Sequence, residues 1–220
     1  MNQHSGERAI LLANGELYDP DYARSLLRPD DLVIVANGGT RLAWTLQIVP
    51  DLLVGDGDSL PDHLRAWLDK HEVPRHEHPR EKEATDLELA LQHAIGLGAT
   101  TVLLLGATGS RVDHTLANIS LLALAREAGI AAEVVVERQH LFLVYDRIEL
   151  RGEAGQTVSL LPWGGSVEGV RTEGLLWELN DATLPFGPSR GISNIMLDEQ
   201  ATVTIERGML LVVQQRGELR

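Results

Sequence analysis

Five short apolar runs constrain the fold of this chain more than any other feature. Residues 9–13 run into Asn14-Gly15, residues 32–36 into Asn37-Gly38-Gly39, residues 52–54 into Gly55 and residues 101–105 into Gly106, and residues 132–136 close the series. Strands that are apolar at every position, rather than at alternate ones, belong in a sheet covered on both faces, which is the habit of parallel sheets. Amphipathic stretches separate them at residues 22–27, 40–47, 61–71, 86–97 and 113–127. In the fourth, Leu87, Ala90, Leu91, Ala94 and Ile95 recur at helical spacing behind the capping box Thr85-Asp86-Leu87-Glu88. This alternation predicts an α/β fold, an open and mostly parallel sheet with helices on both faces, whose ligands bind outside the carboxyl ends of the strands.

Past residue 139 the pattern changes. Residues 141–150, 157–161, 166–170, 201–205 and 209–213 read as strands, several with period-two alternation, separated by turn signals such as Gly164-Gly165 and Arg207-Gly208. No long amphipathic helix interrupts them, so the expectation is a small antiparallel all-β sandwich or barrel. The predicted division is residues 1–140 and 141–220, with no linker or repeat.

Composition narrows the chemistry. A formal charge of -13 opposes nonspecific nucleic-acid binding, so a phosphate-bearing ligand has to arrive with a cation. The absence of cysteine excludes disulfides, thiolate catalysis and Cys-ligated zinc. No signal-peptide pattern opens the chain and no apolar run is long enough to span a bilayer, so a cytoplasmic protein without a membrane partner is expected. No loop matches the Walker P-loop or the dinucleotide fingerprint.

The polar loops after the strands carry the candidate chemistry. Asp56 and Asp58, one glycine apart, sit where a strand ends, and Ser59 precedes Leu60-Pro61-Asp62 at N-cap spacing. An acidic, glycine-rich loop is commonly a solvated turn. With Asp86 on a neighbouring loop, however, three carboxylates suit Mg²⁺ bound partly by protein and partly by phosphate oxygens. Asp86 alone reads equally as a helix-dipole partner. Gly106-Ala107-Thr108-Gly109-Ser110-Arg111-Val112-Asp113-His114 sets a flexible turn, an arginine, a carboxylate and an imidazole before a helix that carries Asn118. Arg111 suits a bidentate phosphate clamp, whereas a lone His114 at a helix start is more often a cap or surface residue than a catalyst. Trp177 either anchors the sandwich core or offers a flat face to an aromatic or cationic ring. His76-Glu77-His78 resembles a metal pair, but its proline-flanked setting favours a solvated loop.

In their order along the chain these motifs resemble the thiamine pyrophosphokinase family. The resemblance rests on Ala36-Asn37-Gly38-Gly39-Thr40, Pro50 to Ser59, Thr85 to Leu91, Gly106 to Asn118, Gly174 to Leu179 and the pair Ser193-Asn194. It implies transfer of the β,γ-pyrophosphoryl group of ATP to the hydroxyethyl oxygen of thiamine. It also implies a homodimer, with thiamine held between the α/β domain of one subunit and the β domain of the other. On this resemblance Asp56, Asp58 and Asp86 hold the metal. Asn37, Gly38, Gly39, Ser59, Thr85, Gly106, Gly109, Arg111, His114 and Asn118 serve the nucleotide, and Trp177, Ser193 and Asn194 serve thiamine. Asp113 positions either the hydroxyl or an arginine. Three departures stand out: Asn37 replaces a usual aspartate, Gly57 a common aromatic and Ala84 a frequent lysine. A different heterocyclic alcohol as acceptor, or a non-catalytic thiamine or nucleotide sensor, are the competing functions.

Overall fold

A computed structural model of the chain describes residues 7–58, 60–76 and 83–217. The chain divides into two units, Met1–Glu137 and Arg138–Arg220. The first contains, in order, β1 (Arg8–Leu12), α1 (Pro20–Ser25), β2 (Leu32–Ala36), α2 (Thr40–Leu46), β3 (Leu52–Val54), α3 (Asp62–Lys70), β4 (Arg75–His76), α4 (Asp86–Gly96), β5 (Thr101–Leu105), α5 (Val112–Glu127) and β6 (Ala131–Val136). The strands lie in the order β6-β5-β1-β2-β3-β4, and every neighbouring pair is parallel.

The continuous apolar runs are explained by helices on both faces. Ile10, Leu12, Val33, Val35, Leu53, Leu103 and Leu105 share a core with Leu42, Leu46 and Leu68 from α2 and α3. The alternate residues Leu11, Ile34 and Leu104 are fully buried on the opposite face, where α4 packs along β1, β2 and β3. The chain steps outward from β1 through β2, β3 and β4, then returns to lay β5 on β1's other side. The carboxyl end of β1 is therefore a topological switch point, where an open sheet of this kind forms a crevice.

Local signals place the helix starts. Asp19 accepts from the Tyr22 N–H at 3.0 Å, with Pro20 in the first turn of α1. Thr85 Oγ1 accepts from the Glu88 N–H at 3.2 Å, as the capping box requires. α3 begins at Asp62 with Pro61 at its cap and no side-chain cap bond, and Ser59, expected at N-cap spacing, lies outside the described residues. The loop reading of His76 is also corrected, since Arg75–His76 pairs with β3 as a short edge strand. His76 packs its ring against His93 of α4 at 4.1 Å, while Glu77 and His78 lie outside the described residues.

The second unit contains β7 (Gln139–Val144), β8 (Arg147–Arg151), β9 (Thr157–Pro162), β10 (Val167–Glu173), β11 (Ala182–Leu184), β12 (Asn194–Ile195), β13 (Gln200–Thr204) and β14 (Leu210–Gln215). Two antiparallel layers, β12-β9-β14-β7 and β11-β10-β13-β8, close on a core that includes Phe142, Leu160 and Val212 from one and Leu150, Val170 and Val203 from the other. The single strand expected over residues 141–150 is two strands. At Tyr145-Asp146 the chain turns a corner, so β7 pairs with β14 and β8 with β13, and both strands send side chains into the same core, Phe142 and Val144 from β7 and Ile148 and Leu150 from β8. The short strands β11 and β12 were not legible, for their residues carry no alternation long enough to read. Among the described residues no helix is long and apolar enough to cross a membrane.

Leu104 has 0% exposure at the centre of the sheet. Leu104→Ala is expected to lower unfolding free energy by about 2 to 5 kcal/mol, through lost burial and the cavity left behind, read as a lower midpoint in urea at unchanged slope.

Candidate active site

The site begins as close packing of backbone on backbone. Past β1, the Gly15 N–H donates to the Gly106 carbonyl at 2.7 Å and the Glu16 N–H to the Thr108 carbonyl at 2.8 Å. A Cβ on Gly15 would sit on those same two carbonyl oxygens, so only glycine fits there. Gly106 has φ +65°, and a Cβ on it would strike Leu42 of α2. From the other side, α5 holds the turn: Asn118 Nδ2 donates to the Ala107 carbonyl at 2.7 Å, and Thr115 Oγ1 accepts from the Gly109 N–H at 3.2 Å. Asn118 is buried, so it acts as the tether of the loop as well as a lining residue.

These loops and the starts of α4 and α5 enclose a cavity of about 300 Å³ at the carboxyl ends of β1, β2 and β5. Asn37, Gly38, Thr85, Asp86, Gly106, Gly109, Arg111, His114 and Asn118, all singled out in the sequence, line it. Asn14, Ser110 and Thr115 line it too. The weight given to charged residues hid their part, although each lies inside a loop or helix start already marked as polar.

The three acids are not gathered into one cluster. Asp86, half-buried, is in the cavity wall. Asp56 is not among the cavity's lining residues; its Oδ1 accepts from Asn37 Nδ2 at 3.3 Å and from the Asp58 N–H at 3.2 Å, an Asx turn that orders the acidic loop. Asp58 is exposed. Among the described residues no three acidic or imidazole side chains form a ready-made metal cage. Asn37 shows what its departure from an acid achieves: an amide can donate to Asp56, whereas a carboxylate there would repel it. Gly57 has φ +66°, and a Cβ would meet only the Leu53 and Leu60 methyls, at 3.6 and 3.9 Å, so backbone conformation and not space favours glycine.

Arg111 and Asp113 form a two-pronged ion pair, Nε to Oδ1 at 3.1 Å and Nη2 to Oδ2 at 2.5 Å. The arginine hydrogen bond, aided by the His114 backbone N–H, holds the Asp113 carboxyl down at about 2 and pushes the guanidinium still higher. Asp113 is thus in contact with an arginine, one of the two partners the sequence left open for it.

In the second unit Trp177 is 58% exposed, which overturns the core-anchor reading. Its backbone is gripped by buried Asn194, whose Oδ1 accepts from the Trp177 N–H at 3.0 Å while Nδ2 donates to the Trp177 carbonyl at 2.7 Å. Both line a cavity of about 420 Å³ with Leu160, Arg190 and Ile192. Ser193, at φ +60°, bonds through its N–H to Ser159 Oγ at 3.0 Å and does not line that cavity.

A parallel α/β sheet with a loop-lined cavity at its switch point, joined in sequence to an antiparallel sandwich that exposes a tryptophan beside a second cavity, defines a two-unit α/β-plus-β class of protein. Residues 23–134 match the family model of the thiamin pyrophosphokinase catalytic domain, and residues 146–210 that of its vitamin B1 binding domain. The chain belongs to the thiamine pyrophosphokinase family, which is an enzyme family. It is 28% identical over 187 residues to the thiamine pyrophosphokinase of Bacillus subtilis, covering 83% of this chain and 86% of that one. With thiamine pyrophosphokinase 2 of Oryza sativa subsp. japonica it shares 27% identity over 86% of this chain and 74% of the relative. The fold is that of the crystal structure of the Bacillus subtilis protein, at TM-score 0.87 and 22% identity over 96% of this chain and 100% of that one. The thiamin pyrophosphokinase of Candida albicans has the same fold, with TM-score 0.78 at 15% identity over 96% and 90%.

Asp113 is expected to titrate near 2, against 3.8 for a free carboxyl, and Arg111→Met should raise it toward the ordinary range, the His114 backbone N–H keeping part of the depression, both read by carboxyl NMR. Because the folded value is depressed, the pairing is fully present above the unfolded value and is lost as pH falls through about 2. Asn118→Ala should lower stability by about 1 to 3 kcal/mol by leaving the Ala107 carbonyl without its donor, measured by thermal and urea unfolding.

Proposed function

We propose that this chain is a thiamine diphosphokinase: the hydroxyethyl oxygen of thiamine attacks the β-phosphorus of ATP, the bond from that phosphorus to the α,β-bridging oxygen breaks, and AMP leaves. The observation that carries the reading is the cavity at the end of β1, where backbone loops, Arg111 and Asp86 surround a space suited to polyphosphate. Family membership supports it. Phosphoryl transfer needs positioning and charge stabilisation more than covalent help, and this is the equipment present.

Asp56, Asp58 and Asp86 would hold Mg²⁺. All three are hard oxygen donors, and with no complete protein cage among the described residues the set fits a cation that keeps several water and phosphate oxygens in its shell. Bound there, the ion would neutralise phosphate charge and polarise the transferring group. Arg111, held in place by Asp113, clamps a phosphate with the edge of its guanidinium that the pair leaves over, while the Gly106 to Ser110 turn lets backbone approach the phosphate chain. A carboxyl held at about 2 is a poor proton acceptor at neutral pH, so Asp113 positions Arg111 and does not serve as the base. Trp177 supplies a flat face for a thiamine ring, kept in place by Asn194. Homodimerisation would bring that face to the α/β unit of a second copy, in keeping with the exposure of Leu176, Trp177 and Leu197.

A turnover assay with ATP, Mg²⁺ and thiamine should release AMP in step with thiamine diphosphate. Asp56→Asn, Asp58→Asn and Asp86→Asn should each cut kcat/KM by about 100-fold or more. No AMP from the wild type would sink the assignment. Mixing Asp56→Asn subunits with Trp177→Ala subunits should recover activity that neither variant has alone; no recovery would argue against a site shared between copies.

A further inference from the structure

An alcohol that attacks phosphorus has to give up its proton, and few groups in the cavity at the end of β1 can take one. Its ionisable lining residues are Asp86, Arg111 and His114. A guanidinium stays protonated in a folded protein. Asp86 is a metal ligand on the reading above, and a carboxylate facing a dication is a weak base. Asp113, held at about 2 by Arg111, is a weak base as well. Imidazole is the side chain whose ordinary charge change falls between about pH 5 and 8.

The setting of His114 is not that of a helix cap. Arg111 occupies the cap position of α5, and among the described residues no hydrogen bond engages the His114 imidazole. Its backbone is nevertheless fixed, because Thr115 and Asn118 on either side of the next turn bond the 107–109 loop. The charged groups around it are Arg111 and Asp113 at the start of its own helix and Asp86 at the start of α4, which packs on α5. β6, also packed on α5, carries Glu133 level with Leu103, back from the carboxyl edge of the sheet.

We infer that His114 is the catalytic base: a ring nitrogen takes the hydroxyethyl proton as the oxygen bonds to the β-phosphorus, and AMP leaves with the electron pair of the broken bond. The inference rests on the thiamine diphosphokinase reading and adds its proton acceptor. His114 is exposed, so the imidazolium returns its proton to solvent before the next turnover.

Single-turnover rates with ATP, Mg²⁺ and thiamine are measured from about pH 5 to 9 for wild type, His114→Gln and His114→Ala. Calorimetric titration with α,β-methylene-ATP, which cannot be cleaved at that bridge, reads nucleotide binding in each. The wild-type rate should fall on the acid side as the base is protonated. His114→Gln should slow the step about 100-fold, lose that acid limb and bind the analogue as the wild type does. Added imidazole should restore activity to His114→Ala. An acid limb retained in His114→Gln would overturn the base, and so would a loss of analogue affinity as large as the loss of rate, which would make His114 a phosphate ligand only. A wild type that binds the analogue yet forms no AMP with thiamine would overturn the acceptor reading, and the base with it.

Discussion

The site depends on how closely three strand-end loops approach one another. β1 has β2 on one side and β5 on the other, so the loops leaving all three must pass through one small space. Gly15 resting on the Gly106 and Thr108 carbonyls, and Gly38 and Gly39 against Asn14 and Leu12, are the consequence. Side chains at these positions would push the loops apart by more than the space between adjacent strands allows. What remains is a surface of polar backbone at the carboxyl edge of an apolar sheet, the kind of surface the proposed polyphosphate substrate calls for.

Charge is arranged around that backbone with similar economy. Each functional side chain is held by a neighbour: Asp56 by Asn37, Arg111 by Asp113, Trp177 by Asn194. Holding a group in advance lowers the entropy lost when a ligand binds. It also explains residues whose chemistry taken singly is unpromising. Asp113, held at about 2, is a poor proton acceptor at neutral pH, and Asn118 commits its amide to a carbonyl, yet both keep an element of the cavity wall in place.

Much of this was legible in the residues themselves. Unbroken apolar runs such as residues 101–105 can only be strands buried on both faces, and the capping box at Thr85 places Asp86 in a first helical turn without ambiguity. The errors have local causes. In the run 141–150 apolar residues continue on both sides of Tyr145-Asp146, since both strands face one core, and the only mark of the corner is the charged pair Asp146-Arg147, with no glycine or proline to signal a turn. Thr115 was not legible because it lies inside the helical run 113–127, and only the fold of the Gly106 to Ser110 turn against α5 brings its hydroxyl to the Gly109 N–H.

The sequence by itself determined the parallel sheet, the sandwich that follows it and the loops in which the chemistry lies, because burial periodicity and turn residues are properties of neighbours along the chain. Only the tertiary structure decided that Trp177 faces solvent, that Asp113 serves Arg111, that Asp56, Asp58 and Asp86 form no closed cage among the described residues, and that His114 lines the cavity at the end of β1. Those facts turn on residues far apart in the chain, and on which of them backbone packing allows to meet.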